Sequence, residues 1–207
     1  HYPSHFIAAV LSSEQDKTDK LEPHVKDCEL MKVEILAPSI NSSFSSFVVN
    51  KKDQIEYGLG ALKGVGKKFT DEICEEREKG LFTTMMDFAS RVDLRKGGIR
   101  SLKSMAKAGA FDCICSRDEA VSSIQSYLEV SDQKFKFKES GVIDMFDTAQ
   151  DIDVPSFKLS KFSDSEKLKM ELESFGFYYS KHPVSLLRKT LSSRLTPIKK
   201  LMTSNKE

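Results

Sequence analysis

The run Leu59-Gly60-Ala61-Leu62-Lys63-Gly64-Val65-Gly66-Lys67-Lys68 holds the residues whose types and spacing point most directly to a chemistry. Two glycines two apart let the backbone approach a large ligand and turn N–H groups outward. Lys63, Lys67 and Lys68 add full positive charge on both sides. A helical pattern with Phe69 and Ile73 four residues apart starts at once, and the N-terminus of such a helix adds partial positive charge. The ligand that suits this device is a nucleic-acid phosphate. The candidate contacts are Lys63, Gly64, Val65, Gly66, Lys67 and Lys68, in a helix, a Gly-Val-Gly hairpin and a second helix. A helix–turn–helix with no ligand fits the same spacing.

Other glycine loops fail at defined positions. A nucleoside-triphosphate loop ending in Gly66-Lys67 needs a glycine at 61 and Ser or Thr at 68, where the chain has Ala61 and Lys68. A dinucleotide loop opening at Gly58-x-Gly60 needs its third glycine at position 63, which is Lys63. No paired Asp-x-Asp sits on a strand pattern to hold magnesium for phosphoryl transfer. His1 and His5 have Pro3 between them, and Cys113-x-Cys115 is not a usual zinc spacing. No catalytic residue and no metal site are expected. Cys28, Cys74, Cys113 and Cys115 read as small buried hydrophobes in a reducing compartment.

The elements that must position the hairpin follow from pattern. Pro3 opens a first helix, with Phe6-Ile7 and Val10-Leu11 on one face. A second, capped by Thr18 or Asp19, ends near Met31, and Pro23 argues that it begins later. Val33-Glu34-Ile35-Leu36, Phe47-Val48-Val49 and Ile55-Glu56-Tyr57 read as short strands, with a turn from Asn50 to Gln54. Helices are then expected over Thr84 to Val92, Ile99 to Ala108 and from about Arg117, the last with Val121, Ile124, Tyr127 and Leu128 on one side. Residues 139–160 are acidic and aperiodic, a loop or linker. Ser163-x-x-Glu166 is a capping box, and Leu168, Leu172 and Phe175 follow at helical spacing up to Gly176. The fold class is therefore mainly α with a small β element.

Net charge is only +1, but polarity is segmental. Residues 91–107 hold six basic side chains against Asp93 alone, and residues 139–153 hold five acids and no base. The helix ending in Leu102 to Asp112, with Lys107, Gly109 and a following helix opened by Arg117, looks like a degenerate second hairpin. Tandem hairpins grip duplex backbone without reading sequence; the alternative is a mere packing partner. In the acidic stretch, Val142-Ile143-Asp144-Met145-Phe146 suggests a peptide that docks in a partner's groove. Met145 and Phe146 could equally pin the loop to its own domain. No segment is long and apolar enough to span a bilayer. The chain starts at His1 rather than Met, without a signal-peptide pattern, which suggests a fragment or processed piece of an intracellular protein.

Five motifs in order resemble the bacterial replicative DNA polymerase III alpha subunit, to about residue 185. They are Tyr2-Pro3-Ser4-His5-Phe6-Ile7-Ala8-Ala9, Ile35-Leu36-Ala37-Pro38-Ser39-Ile40-Asn41, Tyr57 to Gly66, Ala106-Lys107-Ala108-Gly109-Ala110-Phe111-Asp112, and Phe175-Gly176-Phe177-Tyr178-Tyr179-Ser180-Lys181-His182-Pro183. The resemblance implies that residues 1–58 are the C-terminal part of the polymerase fingers. Residues 59–185 would be a tandem helix-hairpin-helix domain on duplex DNA, and 186–207 a basic tail or linker. It places the family's three metal-binding aspartates, with their magnesium, in a palm before His1. This piece would then need no cofactor and be inactive alone. It reads Val142 to Phe146 as the sliding-clamp-binding motif, with Val142 where the family has Gln. The implied partners are double-stranded DNA, the clamp and other replicase subunits, in the cytoplasm, with no membrane. Departures include Pro23, Ser39, Lys181 and Gly97-Gly98, none expected to touch the first hairpin. A protein-interaction module that docks on the clamp without DNA is the alternative.

Overall fold

The computed structural model describes residues 2–139 and 157–183. Seven α-helices and a three-stranded sheet are found among them. None of these helices is long and apolar enough to cross a membrane.

Pro3 stands at the start of α1 (Pro3–Ser13), where its missing N–H would have no helical acceptor anyway. The inward face is Ser4, Ile7, Ala8 and Leu11. Phe6, expected inward, is 69% exposed, because consecutive helical residues point about 100° apart and Ile7 already defines the face. α2 (Thr18–Met31) begins before Pro23, not after it. Its first turn closes through the Lys20 N–H to the Lys17 carbonyl at 2.9 Å. Pro23 has only one turn ahead of it and forfeits one backbone bond, which the burial of Leu21 and Cys28 offsets.

The strands are β1 (Ile35–Leu36), β2 (Val48–Val49) and β3 (Ile55–Glu56), two residues each, in the order β1-β3-β2. β1 runs parallel to β3 and β2 antiparallel, with Ile55 opposite Ile35 and Val49. The β2–β3 turn is held by Asn50, whose Oδ1 accepts from the N–H groups of Lys52 and Gln54 at 2.9 and 3.1 Å. Tyr57 follows β3 and is fully buried, edge-on to Phe47, Phe175 and Tyr179 at 4.7–5.8 Å between ring centres.

The arm before the hairpin, expected as a helix, is a single 3-10 turn, Leu59–Ala61. The preceding segment anchors its start, and Leu62, extended at φ −74 and ψ 139, ends it. The Leu59 and Gly60 N–H groups donate to the Phe44 and Ser45 carbonyls at 2.7 and 2.9 Å. A Cβ on Gly60 would lie 2.7 Å from the Ser45 carbonyl oxygen, so this glycine serves backbone-on-backbone packing. Beyond the hairpin come α3 (Lys67–Glu78), α4 (Met85–Arg91), α5 (Leu94–Ala108), α6 (Arg117–Glu139) and α7 (Asp164–Phe175). Thr84 caps α4, Asp93 caps α5, and Ser163 with Glu166 forms the full capping box of α7. α5 is the hub, packed by α3, α6 and α7. It is broken at Gly98 (φ 68, ψ 166), so its regular part is the expected 99–108. One continuous core runs from Ile7 to Phe177.

Gly97 does touch the first hairpin, contrary to expectation. A Cβ there would fall 2.5 Å from the ring of Phe69, which is buried in α3. A residue with a side chain at 97 would displace the helix that carries the hairpin lysines. Gly97→Ala is expected to cost about 1–3 kcal/mol, since a packed ring has nowhere to go. A thermal-unfolding midpoint equal to wild type would refute this. The cysteines correct a second expectation: Cys28 is buried, Cys74 and Cys115 are half-buried, and Cys113 is exposed. Burial pushes the Cys28 thiol up to about 11 and Cys115 up to about 12, so neither is a nucleophile at neutral pH.

Candidate nucleic-acid interface

Gly64 has φ +79, a backbone region that L side chains rarely adopt, and it makes the turn between the 3-10 arm and α3. Val65 is buried and anchors the tip, its N–H closing on the Leu62 carbonyl at 3.1 Å. Gly66 is extended (φ −89, ψ 147) and is the N-cap of α3, with open space where its Cβ would be. A Ser or Asp here would cap the helix with its own oxygen. Gly66 cannot, and no side chain caps α3. The Phe69 and Thr70 N–H groups return to the Gly66 carbonyl, whereas no acceptor is found among the described residues for the Gly66, Lys67 and Lys68 N–H groups. These donors and the helix dipole face solvent beside exposed Lys67 and Lys68.

Tertiary packing adds cations that the hairpin alone does not have. Ser101 of α5 donates its hydroxyl to the Gly64 carbonyl at 2.5 Å. That bond sets Arg100 against the tip, its side chain 3.5 Å from where a Gly64 Cβ would be. Lys63 is fixed from the other side. Its N–H donates to the Ser174 carbonyl at 2.9 Å, and its stem crosses Gly176, where a side chain would meet Lys63 Cε at 3.0 Å. Lys63, Arg100, Lys103 and Lys107 line a cleft of about 390 Å³ between α5 and α7.

Ion pairing sorts the basic segment 91–107. Arg91 faces Asp87 and Glu76, Arg95 binds Asp93 and Glu139, and Lys96 meets Glu72 at 2.9 Å. Arg95 holds the Asp93 carboxyl below the usual aspartate range. These are structural charges. Among the described residues, Arg100, Lys103, Lys63, Lys67 and Lys68 enter no ion pair with an acid. Arg100 and Lys103 were not singled out by sequence. The signal available was their three-residue spacing after Gly98 on the regular part of α5.

The segment that reads as a degenerate second hairpin has a different surface. α5 ends at Gly109 (φ +86) and α6 starts at Arg117, as its pattern predicted. A Cβ on Gly109 would sit 2.1 Å from the Arg117 guanidinium. Arg117 donates to Asp112 at 2.7 Å and reaches Glu171 at 3.8 Å, while Lys107 pairs with Glu173. Lys107 shares the cleft with Lys63, but Gly109 and Arg117 do not line it. Val142, Ile143, Asp144, Met145 and Phe146 lie outside the described residues. Among the described residues no group of three or more His, Cys, Asp or Glu converges to hold a metal ion.

The family profile of the helix-hairpin-helix motif matches residues 32–120, from just before β1 into the first turn of α6. The chain is 36% identical over 198 residues to DNA polymerase III subunit alpha of Haemophilus influenzae, covering 93% of this chain and 17% of that protein. It is 32% identical over 206 residues to the Pseudomonas aeruginosa subunit (89% and 18%). To the subunit of Neisseria meningitidis serogroup B it is 37% identical over 190 residues (88% and 16%). The chain thus spans about one sixth of the length of the curated relatives it matches. Over nearly all of its length this chain is a relative of one segment of the bacterial DNA polymerase III alpha subunit, and it carries a helix-hairpin-helix motif.

Proposed function

We propose that this chain is the duplex-gripping portion of a bacterial replicative DNA polymerase and holds DNA by its phosphate backbone at the Gly64–Gly66 hairpin. One observation carries the reading: the N-terminus of α3 has no side-chain cap and presents its first N–H groups beside Lys67, Lys68 and Arg100, which enter no ion pair among the described residues. Two phosphodiester oxygens would accept from the amides at 66–68, while Lys67, Lys68 and Arg100 neutralise charge and release counterions. None of these groups reads a base edge, so the grip is independent of sequence. That suits an enzyme which must slide over any product.

In this reading residues 1–58 belong to the fingers, 59–185 form the DNA-binding domain, and 186–207 are a basic tail or linker. DNA synthesis belongs to the whole polymerase, working in the cytoplasm with its magnesium-binding aspartates on the palm. The test is fluorescence anisotropy with a short duplex. Gly64→Val forces φ +79 on a β-branched residue and crowds Arg100, so affinity should fall about tenfold or more at low salt. Wild-type affinity would sink the hairpin assignment.

The same reading has Val142 to Phe146 tether the polymerase to its sliding clamp. Its support is the sequence alone: Asp144, Met145 and Phe146 in an acidic stretch. Met145→Ala/Phe146→Ala should abolish capture by immobilised clamp while leaving duplex affinity unchanged. Retained capture would refute the assignment.

A further inference from the structure

The hydroxyl of Ser101 reaches a part of the hairpin that touches no ligand in the proposed grip. A serine within a helix commonly donates back to a carbonyl of its own helix, one turn earlier. Ser90, Ser122 and Ser123 do so here, to the Asp87, Asp118 and Glu119 carbonyls at 2.7–2.9 Å. Ser101 is only 4% exposed, and its hydroxyl instead leaves α5 for the Gly64 carbonyl, 37 positions away in the chain, at 2.5 Å. α5 is broken at Gly98 just ahead of it, and Gly97 lets the same stretch close on the Phe69 ring in the first turn of α3. α5 therefore meets the hairpin on both sides of its tip, at Gly64 and at Phe69.

The bond completes a pair on one peptide unit. The Gly64–Val65 peptide carries the Gly64 carbonyl on one edge and the Val65 N–H on the other. The N–H closes on the Leu62 carbonyl at 3.1 Å, and the carbonyl takes the Ser101 hydroxyl. Turning such a peptide over is the soft motion of a glycine turn, because Gly64 has no Cβ to oppose it. We infer that Ser101 is a positioning residue of the grip, a latch that keeps the Gly64–Val65 peptide with its carbonyl turned into the protein. Without the hydroxyl, the inward carbonyl is left buried and unpaired, which favours the turned-over peptide. The Gly64 carbonyl then points away from α5, and an oxygen lone pair joins the face that presents the amides at 66–68. DNA binds the latched form, so apparent affinity falls with the fraction of molecules that remain latched. Ser101 itself touches no phosphate. This inference rests on the reading that the hairpin tip meets DNA backbone.

Ser101→Ala in the 207-residue chain tests it. The control is Ser123→Ala, at a fully buried serine whose hydroxyl stays on its own helix. Ser101→Ala should bind a short duplex about three- to tenfold more weakly, the range set by one hydrogen bond and the unpaired carbonyl it leaves. The loss should be the same at every salt concentration, because the bound state keeps all its phosphate contacts and so its slope of log K against log salt. In the free protein, hydrogen exchange of the Val65 amide, followed by NMR, should speed up by at least as much. Ser123→Ala should change neither quantity. Lys67→Gln/Lys68→Gln should weaken the duplex with a flatter salt slope and leave Val65 exchange as in wild type. Wild-type duplex affinity in Ser101→Ala, a Val65 amide that exchanges no faster, or an equal loss of affinity in Ser123→Ala overturns the latch and leaves the hairpin reading standing. If the lysine variant binds duplex like wild type, the hairpin reading itself has failed.

Discussion

Replacing Lys67, Lys68 and Arg100 together by glutamine is expected to weaken duplex binding by about two to three orders of magnitude at 0.1 M salt. Each phosphate contact contributes roughly 0.9 to the slope of log K against log salt, so losing three should flatten that slope by about 2.7 and remove about 0.9 log units each at 0.1 M. Geometry sets these three apart. None is in an ion pair with an acid among the described residues, so their loss should barely move stability, whereas Arg95 and Lys96 hold Asp93, Glu139 and Glu72. Arg95→Gln/Lys96→Gln is the control: it removes two charges of the same sign from α5, just before the break at Gly98. It should lower the unfolding midpoint and leave the salt slope nearly unchanged. Equal flattening by both variants would mean that binding follows net charge rather than the hairpin, and the assignment would fall.

The contrast between those two sets shows where sequence reading stops. Features set by spacing within one turn of chain were legible. The Ser163–Glu166 box, the Asn50–Gln54 turn, the helix ending at Gly109 and the Gly64–Gly66 tip all form from neighbours a few residues apart. Features set by long-range contacts were not. Six basic residues in 91–107 look alike in sequence, and it takes the acids of α3, α4, α6 and α7 to separate the paired from the unpaired. The arm before the hairpin reads as a helix by apolar content. It stops after one 3-10 turn because Leu62 is extended and the Lys63 N–H donates to the Ser174 carbonyl instead of back into the turn. Pro23 reads as a helix start by local rule, and tertiary burial of Leu21 and Cys28 overrides it. The glycine pair at 97–98 shows the same limit. It reads as a departure from the family's pattern that leaves the first hairpin untouched, while the decisive neighbour of Gly97, Phe69, lies 28 positions earlier in the chain.

The largest stability effect should come from a residue that touches no ligand. Tyr57→Ala is expected to cost about 3–5 kcal/mol, because a fully buried ring is lost from a site that cannot collapse. Its ring is edge-on to Phe47 at 4.7 Å, Phe175 at 5.0 Å and Tyr179 at 5.8 Å, and such pairs contribute beyond their buried area. Those partners come from distant parts of the chain. Phe47 leads into β2, Phe175 ends α7, and Tyr179 donates its own hydroxyl to the Ile35 carbonyl at 2.8 Å. Tyr57 is therefore the point where the sheet meets α7, one residue before the segment that carries the hairpin. The Tyr57 hydroxyl adds nothing to this role. It has no hydrogen-bond partner among the described residues, and burial pushes its ionisation far above the usual tyrosine range. Tyr57→Phe should thus match or exceed wild type in stability, since it removes an unsatisfied polar group and keeps the ring. Urea unfolding of the two variants decides the matter. A loss in Tyr57→Phe approaching that of Tyr57→Ala would mean that the hydroxyl, not the ring, joins the sheet to α7. In the expected case, Tyr57→Ala at temperatures where it remains folded should also weaken duplex binding, because Ser174, which fixes Lys63, sits one residue before the Phe175 ring that Tyr57 holds.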